Sequence, residues 1–314
     1  MPASKKWGLY AVEIDKVSPV VVGGVVDENI SLDTEVRSEV VDGQPYPTLQ
    51  TVPRQGQTFR CTTVALKSWF DEIGVLGLDI STITNGINFW AQQFAEAGLR
   101  TSGATHRKYN VVNGLFLPRR LSVDDNNADF QAEFECLVSH DGSSNDPVII
   151  TDSQSVPSLP TDDERFGMGP ITFTGPLTVD NVTGWDLDFG INAVLESADG
   201  DVFATFPSIE TITPVLNIRT RDITLLKTAS DIRLLGKALG HAATKLYLRR
   251  RITGGAYELN ATAKHIKLTI DGHAVVQDAV RVTRSTGSVM QISIPLRYDG
   301  TLTPIVITTD TAIT

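Results

Sequence analysis

The chain has 314 residues, enough for two ordinary domains, and its composition, 41% hydrophobic and 20% charged, is typical of a globular protein. Its net charge of −10 argues against a protein whose main task is to grip nucleic acid, because that task requires clustered Lys and Arg. Its apolar stretches are far shorter than the roughly 20 residues of a membrane-spanning helix, so we expect no membrane segment.

Strand, helix and hairpin patterns follow one another in the first half. MPASKKWGLY (1–10) has no apolar run behind its lysines, so we expect no secretory signal and synthesis in a cytosol. QTFRCTTVALKSWF (57–70) alternates and predicts a strand, and TNGINFWAQQFAEAGL (84–99) has apolar residues at helical spacing and predicts a helix. RRLSVDDNNADFQAEFECL (119–137) predicts a hairpin that turns at DDNN.

The same order of patterns follows a polar stretch in mid-chain. SVPSLPTDDERFGMGP (155–170) predicts an exposed linker because of its prolines and its charge run. Beyond it, PVLNIRTRDITLLK (214–227) predicts a strand and SDIRLLGKALGHAATKL (230–246) predicts a helix that its glycines weaken. AVRVTRSTGSVMQISIPL (279–296) predicts a hairpin that turns at RSTG.

Two short stretches recur at nearly one offset. VDGQPYPTLQTV at Val41 returns as ADGDVFATFPSI at Ala198, and their glycines are 200 − 43 = 157 residues apart. HDGSSNDPVIITDSQSVP at His140 returns as YDGTLTPIVITTDTAIT at Tyr298, with a glycine offset of 300 − 142 = 158. Because this offset is half the chain length, the sequence predicts an internal duplication, and chance similarity of turn-rich strands is the alternative.

The duplication determines the expected fold and its boundaries. We expect a mainly β protein with flanking helices, built as two tandem β-sandwich or rolled-sheet domains. The first would cover residues 1–157, a linker 158–170, and the second 171–314. Residues 1–157 carry 12 basic and 20 acidic side chains, whereas residues 158–314 carry 15 and 17, so the two surfaces are predicted to differ in charge.

Recognised catalytic and metal-binding patterns are missing from the sequence. It contains no HExxH, GxSxG, GxxxxGK[ST] or GxGxxG motif and no pair of CxxC motifs. The five histidines are scattered, and Cys61 and Cys136 lie in apolar segments that suit buried thiols better than a disulfide or a metal site. We therefore expect no enzyme activity, no catalytic residue, no cofactor and no bound metal.

Two polar clusters each have two interpretations. DDNNAD (124–129) could offer oxygens to Ca²⁺, but it lacks the glycine and the distal Glu of a calcium loop, which favours a hairpin turn. Arg249, Arg250 and Arg251 could touch phosphate or an acidic partner. Alternate residues of a strand face opposite sides, however, and this favours a solvated or subunit-facing edge.

The second half resembles a known family. ATKLYLRRRITGGAYELNATAKHIKLTIDGHAVV (243–276) and MQISIPLRYDGTLTPIVITTDTAI (290–313) resemble the major tail tube proteins of long, non-contractile-tailed bacteriophages. The first half is similar to the same family more faintly, through AEFECLVSHDGSSNDPVIIT (132–151). The resemblance implies that each half is a tube domain, whose sheet curls round a channel and whose helix packs outside.

The resemblance also implies an assembly. Domains of this family usually form rings of six that stack into a hollow tube, so a chain with two domains would form trimers with pseudo-sixfold symmetry. The protein would be a structural component of the virion tail, made in the host bacterial cytoplasm, and its partners would be copies of itself and other tail proteins at the tube ends. DNA would pass through only as cargo. The excess of carboxylates predicts an acidic lumen that repels phosphates, although solubility explains the same charge.

Several segments are candidates for contacts between rings. They are the arm 1–10, the loop 42–56, the linker near Ser158 and the tail Thr308–Thr314, and a mobile surface segment is the alternative for each. We expect deletion of Thr308–Thr314 to weaken polymerisation more than folding, because this tail follows the last predicted strand.

Two other functions stay open. The chain could be another ring-forming tail component, at the tail tip or as a terminator. It could also be a carbohydrate- or receptor-binding β-sandwich, which predicts aromatic residues clustered in one set of loops. The tryptophans are instead dispersed along the chain, which disfavours the binding module; they are Trp7, Trp69, Trp90 and Trp185.

Overall fold

A computed structural model of the chain describes residues 6–40, 45–47, 49–94, 101–123, 129–143, 146–159, 164–173, 179–197, 201–221, 244–252, 255–270, 277–282, 290–298 and 303–314. These ranges are mainly β with antiparallel sheets, as the sequence predicts. The elements of the first half are β1 (Lys6–Ile14), β2 (Val20–Val22), β3 (Val25–Glu39), β4 (Leu49–Thr63), α1 (Leu66–Ile73), β5 (Leu78–Asp79), a short 3-10 helix (Ile80–Thr82), β6 (Ile87–Phe94), β7 (His106–Val111), β8 (Gly114–Ser122), β9 (Gln131–Val138) and β10 (Val148–Gln154). Those of the second half are β11 (Arg165–Thr172), β12 (Val182–Asp188), β13 (Ile191–Glu196), β14 (Phe206–Ile212), β15 (Val215–Thr220), β16 (Thr244–Arg251), β17 (His265–Ile270), β18 (Gln277–Val282), β19 (Met290–Pro295) and β20 (Val306–Thr311).

The strands form one large sheet and three smaller ones. The large sheet has nine strands: eight follow the order β18-β19-β15-β12-β8-β9-β4-β3, and the ninth, β5, pairs with β8. A five-stranded sheet, β10-β7-β6-β1-β2, belongs to the first half, and a four-stranded sheet, β11-β16-β17-β20, belongs to the second. The hairpin β13-β14 forms a small sheet of its own.

The two halves have the same strand order. The order β1-β6-β7-β10 in the first half matches β11-β16-β17-β20 in the second, and β3-β4-β9-β8 matches β12-β15-β19-β18. Matching strands begin at similar offsets; β6 and β16, for example, begin 244 − 87 = 157 residues apart. Apart from β5, the nine-stranded sheet therefore consists of two four-stranded units joined where β8 pairs with β12.

Equivalent hydrogen bonds accompany the matching strands. Thr63 Oγ1 donates to the carbonyls of Gly23 and Gly24, at 3.0 and 3.1 Å. Thr220, which lies 220 − 63 = 157 residues later, donates through Oγ1 to the carbonyls of Asp180 and Asn181. Gly24 and Asn181 both have a positive φ, 70° and 51°, so the same turn is formed once by glycine and once by asparagine, a residue that tolerates this region.

The core of the first half is aromatic and lies between its two sheets. Phe59 on β4 stacks on Phe89 on β6 with ring centroids 4.4 Å apart, which joins the two layers. Trp69 on α1 is fully buried and lies 4.8 Å from Phe134 of β9. The helix buries Leu66, Trp69, Phe70 and Ile73 on one face, because these residues recur at the helical period.

Three predictions of secondary structure are wrong. Residues 87–94 form strand β6 instead of a helix. Both faces of this strand are covered, and the resulting apolar run cannot be distinguished by its period from the buried face of a helix. The predicted strand 57–70 ends at Thr63, and helix α1 follows at Leu66. Residues 165–170 of the predicted linker belong to β11, which pairs with β16, since Phe166 is a core residue.

Other predictions are confirmed or fall outside the described ranges. The strands of both predicted hairpins pair, β8 with β9 and β18 with β19, while the turns DDNN and RSTG lie outside. Strand β15 covers the start of the second predicted strand. The helix predicted at 230–246 lies outside the described residues as far as 243, and Thr244–Leu246 begin β16.

Candidate functional site at the junction of the two halves

The junction of the two halves is a three-residue pairing of β8 and β12. Leu121 lies opposite Leu187, and both side chains are fully buried. On the other face of the sheet, Arg120 makes an ion pair of 3.4 Å with Asp186. The junction thus combines backbone pairing, an apolar contact and a charge pair, which is the composition of an edge-to-edge interface between sheets.

The hairpin β13-β14 extends this junction by folding over the first half. The Gln55 N–H donates to the carbonyl of Val202 at 2.9 Å, and the His140 N–H donates to the carbonyl of Ala204 at 2.7 Å. Between these bonds the Phe203 ring stacks on the His140 ring, with centroids 5.8 Å apart and planes 10° apart. The tip of the second half's hairpin therefore makes specific contacts with the first half.

The polar face of the nine-stranded sheet pairs its charges. Glu135 of β9 has a side chain only 6% exposed and accepts from Arg60 at 2.6 Å and from Arg119 at 2.5 Å. At the equivalent place in the second half, Ser293 donates to Asn217 Oδ1 at 2.6 Å. One half uses a charged pair where the other uses a neutral one.

The ends of the nine-stranded sheet are β3 and β18, each with one paired neighbour among the described strands. β3 is the counterpart of β12, and β18 is the counterpart of β8. Ile30 of β3 matches Leu187, at 187 − 30 = 157, but it is 36% exposed where Leu187 is buried. Among the described strands, one copy of the junction is therefore closed, and the two sides of a second copy, β3 and β18, each lack a second partner strand.

The arginine run lies on β16, which is flanked by β11 and β17 and so is not the sheet edge that the sequence favoured. Two of its three side chains, Arg250 and Arg251, form ion pairs. Arg249 and Arg251 place their guanidinium groups over the Tyr257 ring, 5.0 and 4.6 Å from its centroid. Arg250 faces the other way and pairs with Glu164 at 3.5 Å, so the predicted alternation of faces is confirmed. Arg251 also pairs with Asp129 at 2.6 Å, which links the second half to the first.

Asp129 is the described member of the DDNNAD cluster. Residues 124–128 lie outside the described ranges. The Asp129 carboxylate holds Arg251 and lies 3.9 Å from Arg165. In this structure it serves the contact between the halves.

The thiols and a buried histidine have altered pKa values. Burial raises the pKa of both Cys61 and Cys136 well above the ordinary thiol value, and neither forms a disulfide. Burial lowers the pKa of His106, whose Nδ1 accepts from the Gln93 N–H at 3.2 Å. The predicted burial of the cysteines is confirmed, and such thiols are poor nucleophiles.

Metal ligands do not come together in the described part of the chain. Within it, no group of three or more His, Cys, Asp or Glu residues could hold a metal ion. Across the same ranges no helix is long and apolar enough to cross a membrane. The absence of enzyme activity, of a cofactor and of a metal stays a prediction.

The segments predicted to contact other rings are partly regular structure. Residues 6–10 belong to β1 and 49–56 to β4, while 308–311 belong to β20. The tail therefore does not follow the last strand but forms most of it, which overturns the reason for the expected effect of its deletion. Thr308 lies opposite Lys267, and Thr311 lies opposite His265.

No protein-family model matches the chain, and neither does any curated protein. The residues that the sequence alone did not single out are the junction residues, Leu187 and Phe203 among them. The internal repeat carried a signal for them, because it aligns Phe203 with Tyr46 and His140 with Tyr298.

Proposed function

We propose that the chain is a tail tube subunit of a long, non-contractile-tailed bacteriophage, which forms stacked rings around a bore that conducts DNA. In this proposal the two halves arose by duplication and occupy equivalent positions in the ring. The observation that carries it is the junction β8·β12 together with its open counterpart, β18 and β3. A chain that holds one such joint closed and two complementary edges open can join copies of itself by the same joint.

The pairing of β18 with β3 of another copy would repeat the register of the junction between β8 and β12. The counterpart of the Leu121–Leu187 pair is Val282 opposite Ile30, and the counterpart of Arg120–Asp188 is Arg281 opposite Ser31. This pairing would satisfy the edge N–H and C=O groups and cover Ile30. Unpaired sheet edges are otherwise prone to uncontrolled association, and ring closure removes them.

Closure by three copies gives a barrel of suitable width. Each chain supplies eight strands to the path of the large sheet, so three chains supply about 24. Strands about 4.8 Å apart and tilted by about 40° would then enclose a backbone diameter of about 50 Å. Such a barrel leaves an open bore after its side chains are counted, whereas a closed barrel of one chain's eight strands is filled by them.

The polar face of the sheet would line this bore. Arg60, Arg119 and Arg120 on that face each pair with a carboxylate, which reduces their attraction for phosphate. The proposal of an acidic lumen thus takes a more specific form: carboxylates neutralise the arginines of the wall. DNA could then slide without the counterion release that fixes it to a basic surface.

Stacking of the rings would use surfaces at the ends of the barrel. Contacts between rings are head to tail, and such contacts propagate into a filament instead of closing. Virion location follows from this role.

Assembly of the purified chain tests the proposal. Mass photometry should find a species of three copies of the 34.1 kDa chain, and negative-stain electron microscopy should find rings or hollow tubes. The variant Ile30→Lys should remain a folded monomer, because the lysine would place a charge in the joint. Val17→Lys, at a 93% exposed position outside the sheet edge, is the matched control and should assemble normally.

Other outcomes would favour other functions. Single rings that never stack would indicate a tail-tip or terminator component. A chain that stays monomeric at every concentration and salt would remove the ring proposal and favour the carbohydrate- or receptor-binding module.

A further inference from the structure

We infer that Tyr46 of one chain packs against Tyr298 of the next copy in the ring, as an intermolecular version of the Phe203–His140 stack. This inference rests on the proposed ring. It adds a second contact to the strand joint and assigns it to two named side chains.

The repeat pairs the residues of the two contacts. Tyr46 precedes Phe203 by 203 − 46 = 157 residues, and His140 precedes Tyr298 by 298 − 140 = 158. Phe203 lies at the tip of the second half's hairpin, and Tyr46 lies at the corresponding tip of the first half's hairpin, between β3 and β4. His140 follows β9, as Tyr298 follows the equivalent strand β19.

Within the chain the first contact reaches across the junction. Phe203 belongs to the half that contributes β12, and its ring lies on His140 of the half that contributes β8. The open joint would bring together β3 of one chain and β18 of another. The hairpin tip that belongs to β3 would then reach the residue that follows β19 on the other chain, and these are Tyr46 and Tyr298.

Exposure supports this assignment. Tyr46 is 76% exposed and Tyr298 is 56% exposed, whereas their counterparts Phe203 and His140 are half-buried against each other. Two large aromatic side chains are thus exposed at the places equivalent to the aromatic pair that lies across the junction of the two halves. Aromatic residues are enriched at protein interfaces because they bury large areas with few rotatable bonds.

An apolar cavity lies beside Tyr298 and would receive the partner ring. Its volume is about 520 Å³, and its lining is mainly apolar, including Phe70, Leu76, Ile212, Pro214, Tyr298 and Pro304. Pro304 is the counterpart of Pro147, at 304 − 147 = 157, so the part of the lining formed by Tyr298 and Pro304 is the second-half equivalent of the surface near His140. Phe70 and Leu76 of the first half complete the cavity. Tyr46 of the neighbouring copy suits this cavity, because its ring can enter the cavity while its hydroxyl stays at the solvent edge.

Cross-linking between differently tagged chains tests the contact. Tyr46→Cys chains and Tyr298→Cys chains are mixed, allowed to assemble and treated with a short bis-maleimide, which tolerates a wider gap than a disulfide. We expect the 46–298 cross-link to exceed the 46–46 and 298–298 products at least about tenfold. The native Cys61 and Cys136 give little background, because they are 2% and 0% exposed. Val17→Cys mixed with Tyr298→Cys is the control and should give little product.

A substitution series adds a readout of assembly. Tyr46→Ala should raise the protein concentration needed for half-maximal ring formation by about tenfold, the effect expected for one lost aromatic contact. The double variant Tyr46→Phe, Tyr298→His recreates the pair found inside the chain and should assemble at nearly the unsubstituted concentration.

The outcomes separate this contact from the ring itself. Rings that form normally but give no 46–298 product, or that tolerate Tyr46→Ala without change, overturn the contact and leave the proposed function intact. A chain that never forms rings overturns both.

Discussion

The two long hairpins occupy equivalent places in their halves, yet the strands of one are continuous and those of the other are interrupted. β3 and β4 continue for 15 residues each, whereas their counterparts break into β12 and β13 and into β14 and β15. The break lies at Gly190, whose φ is 58° and where a Cβ would meet the Thr213 carbonyl oxygen at 2.0 Å, and at the neighbouring Pro214. Asp33 and Gln57 stand at the equivalent places.

This difference shows how one sheet unit can serve two purposes. The break lets the second hairpin fold onto the first half, where Phe203 reaches His140. The tip of the first hairpin, at Tyr46, makes no such contact within the described part of its own chain. In the proposed ring it contacts another copy. Substitutions at the tip of the second hairpin should therefore affect the stability of the monomer, whereas substitutions at the tip of the first should affect assembly.

Deletion of Thr308–Thr314 should have the largest effect. It removes most of β20, which pairs with β17, and it removes the Ile313 N–H bond to the Asn260 carbonyl. We expect a loss of about 3 kcal/mol or more in the free energy of unfolding, a large part of the 5–15 kcal/mol typical of a domain. Urea unfolding followed by circular dichroism measures it.

Deletion of Ala312–Thr314 alone is the control, because it leaves β20 in place. It should reduce the free energy of unfolding by clearly less than the deletion of Thr308–Thr314. If the longer deletion leaves unfolding unchanged, the pairing of β20 contributes little and the tail is available for assembly contacts after all.

The charged pair of the first half should be worth more than its neutral counterpart. Glu135→Ser imitates the second half and leaves two arginines without their carboxylate, so we expect a loss of about 2 kcal/mol, below the 3–5 kcal/mol of fully buried pairs because Arg60 is 59% exposed. Adding Arg60→Asn should recover about 1 kcal/mol relative to the sum of the two single variants. Strictly additive losses would contradict the pairing.

Removal of the Phe203 ring should destabilise the monomer moderately. Phe203→Ala deletes the stack on His140, and we expect a loss of about 1 kcal/mol in unfolding free energy. Tyr46→Ala, at the equivalent but exposed position, should change monomer stability by less than about 0.5 kcal/mol. Equal losses in the two variants would show that Tyr46 already has a partner within its own chain.

The smallest effect concerns acid stability. Burial lowers the pKa of His106 in the folded chain below its ordinary value of 6.5, so the unfolded chain binds more protons as the pH falls below that value. The contribution of His106 to stability is therefore present above about pH 6.5 and is lost as the pH falls through the folded pKa. Urea unfolding at pH 7.5 and 5.5 measures how much the free energy of unfolding falls between the two pH values. We expect this fall to be smaller in His106→Asn than in the unsubstituted chain, and an equal fall in both would contradict the role of His106.

Sequence patterns predicted the β class and both hairpins, because strand alternation and turn residues are local signals. They failed at Ile87–Phe94, where a strand buried on both faces has no polar face to reveal its period. They also failed at Arg165–Thr172, where proline and glycine suggested a linker but Phe166 binds the strand to the core. The repeat aligned Tyr46 with Phe203, but only the folded chain indicates which side chain each would meet.

An electron cryo-microscopy map of the assembled protein would test the central claim most directly. We expect a ring of three chains with one sheet continuous across every boundary, in which Ile30 of one copy lies opposite Val282 of the next, in the register of Leu187 and Leu121. A ring in which β3 and β18 stay unpaired and other surfaces hold the copies together would contradict it.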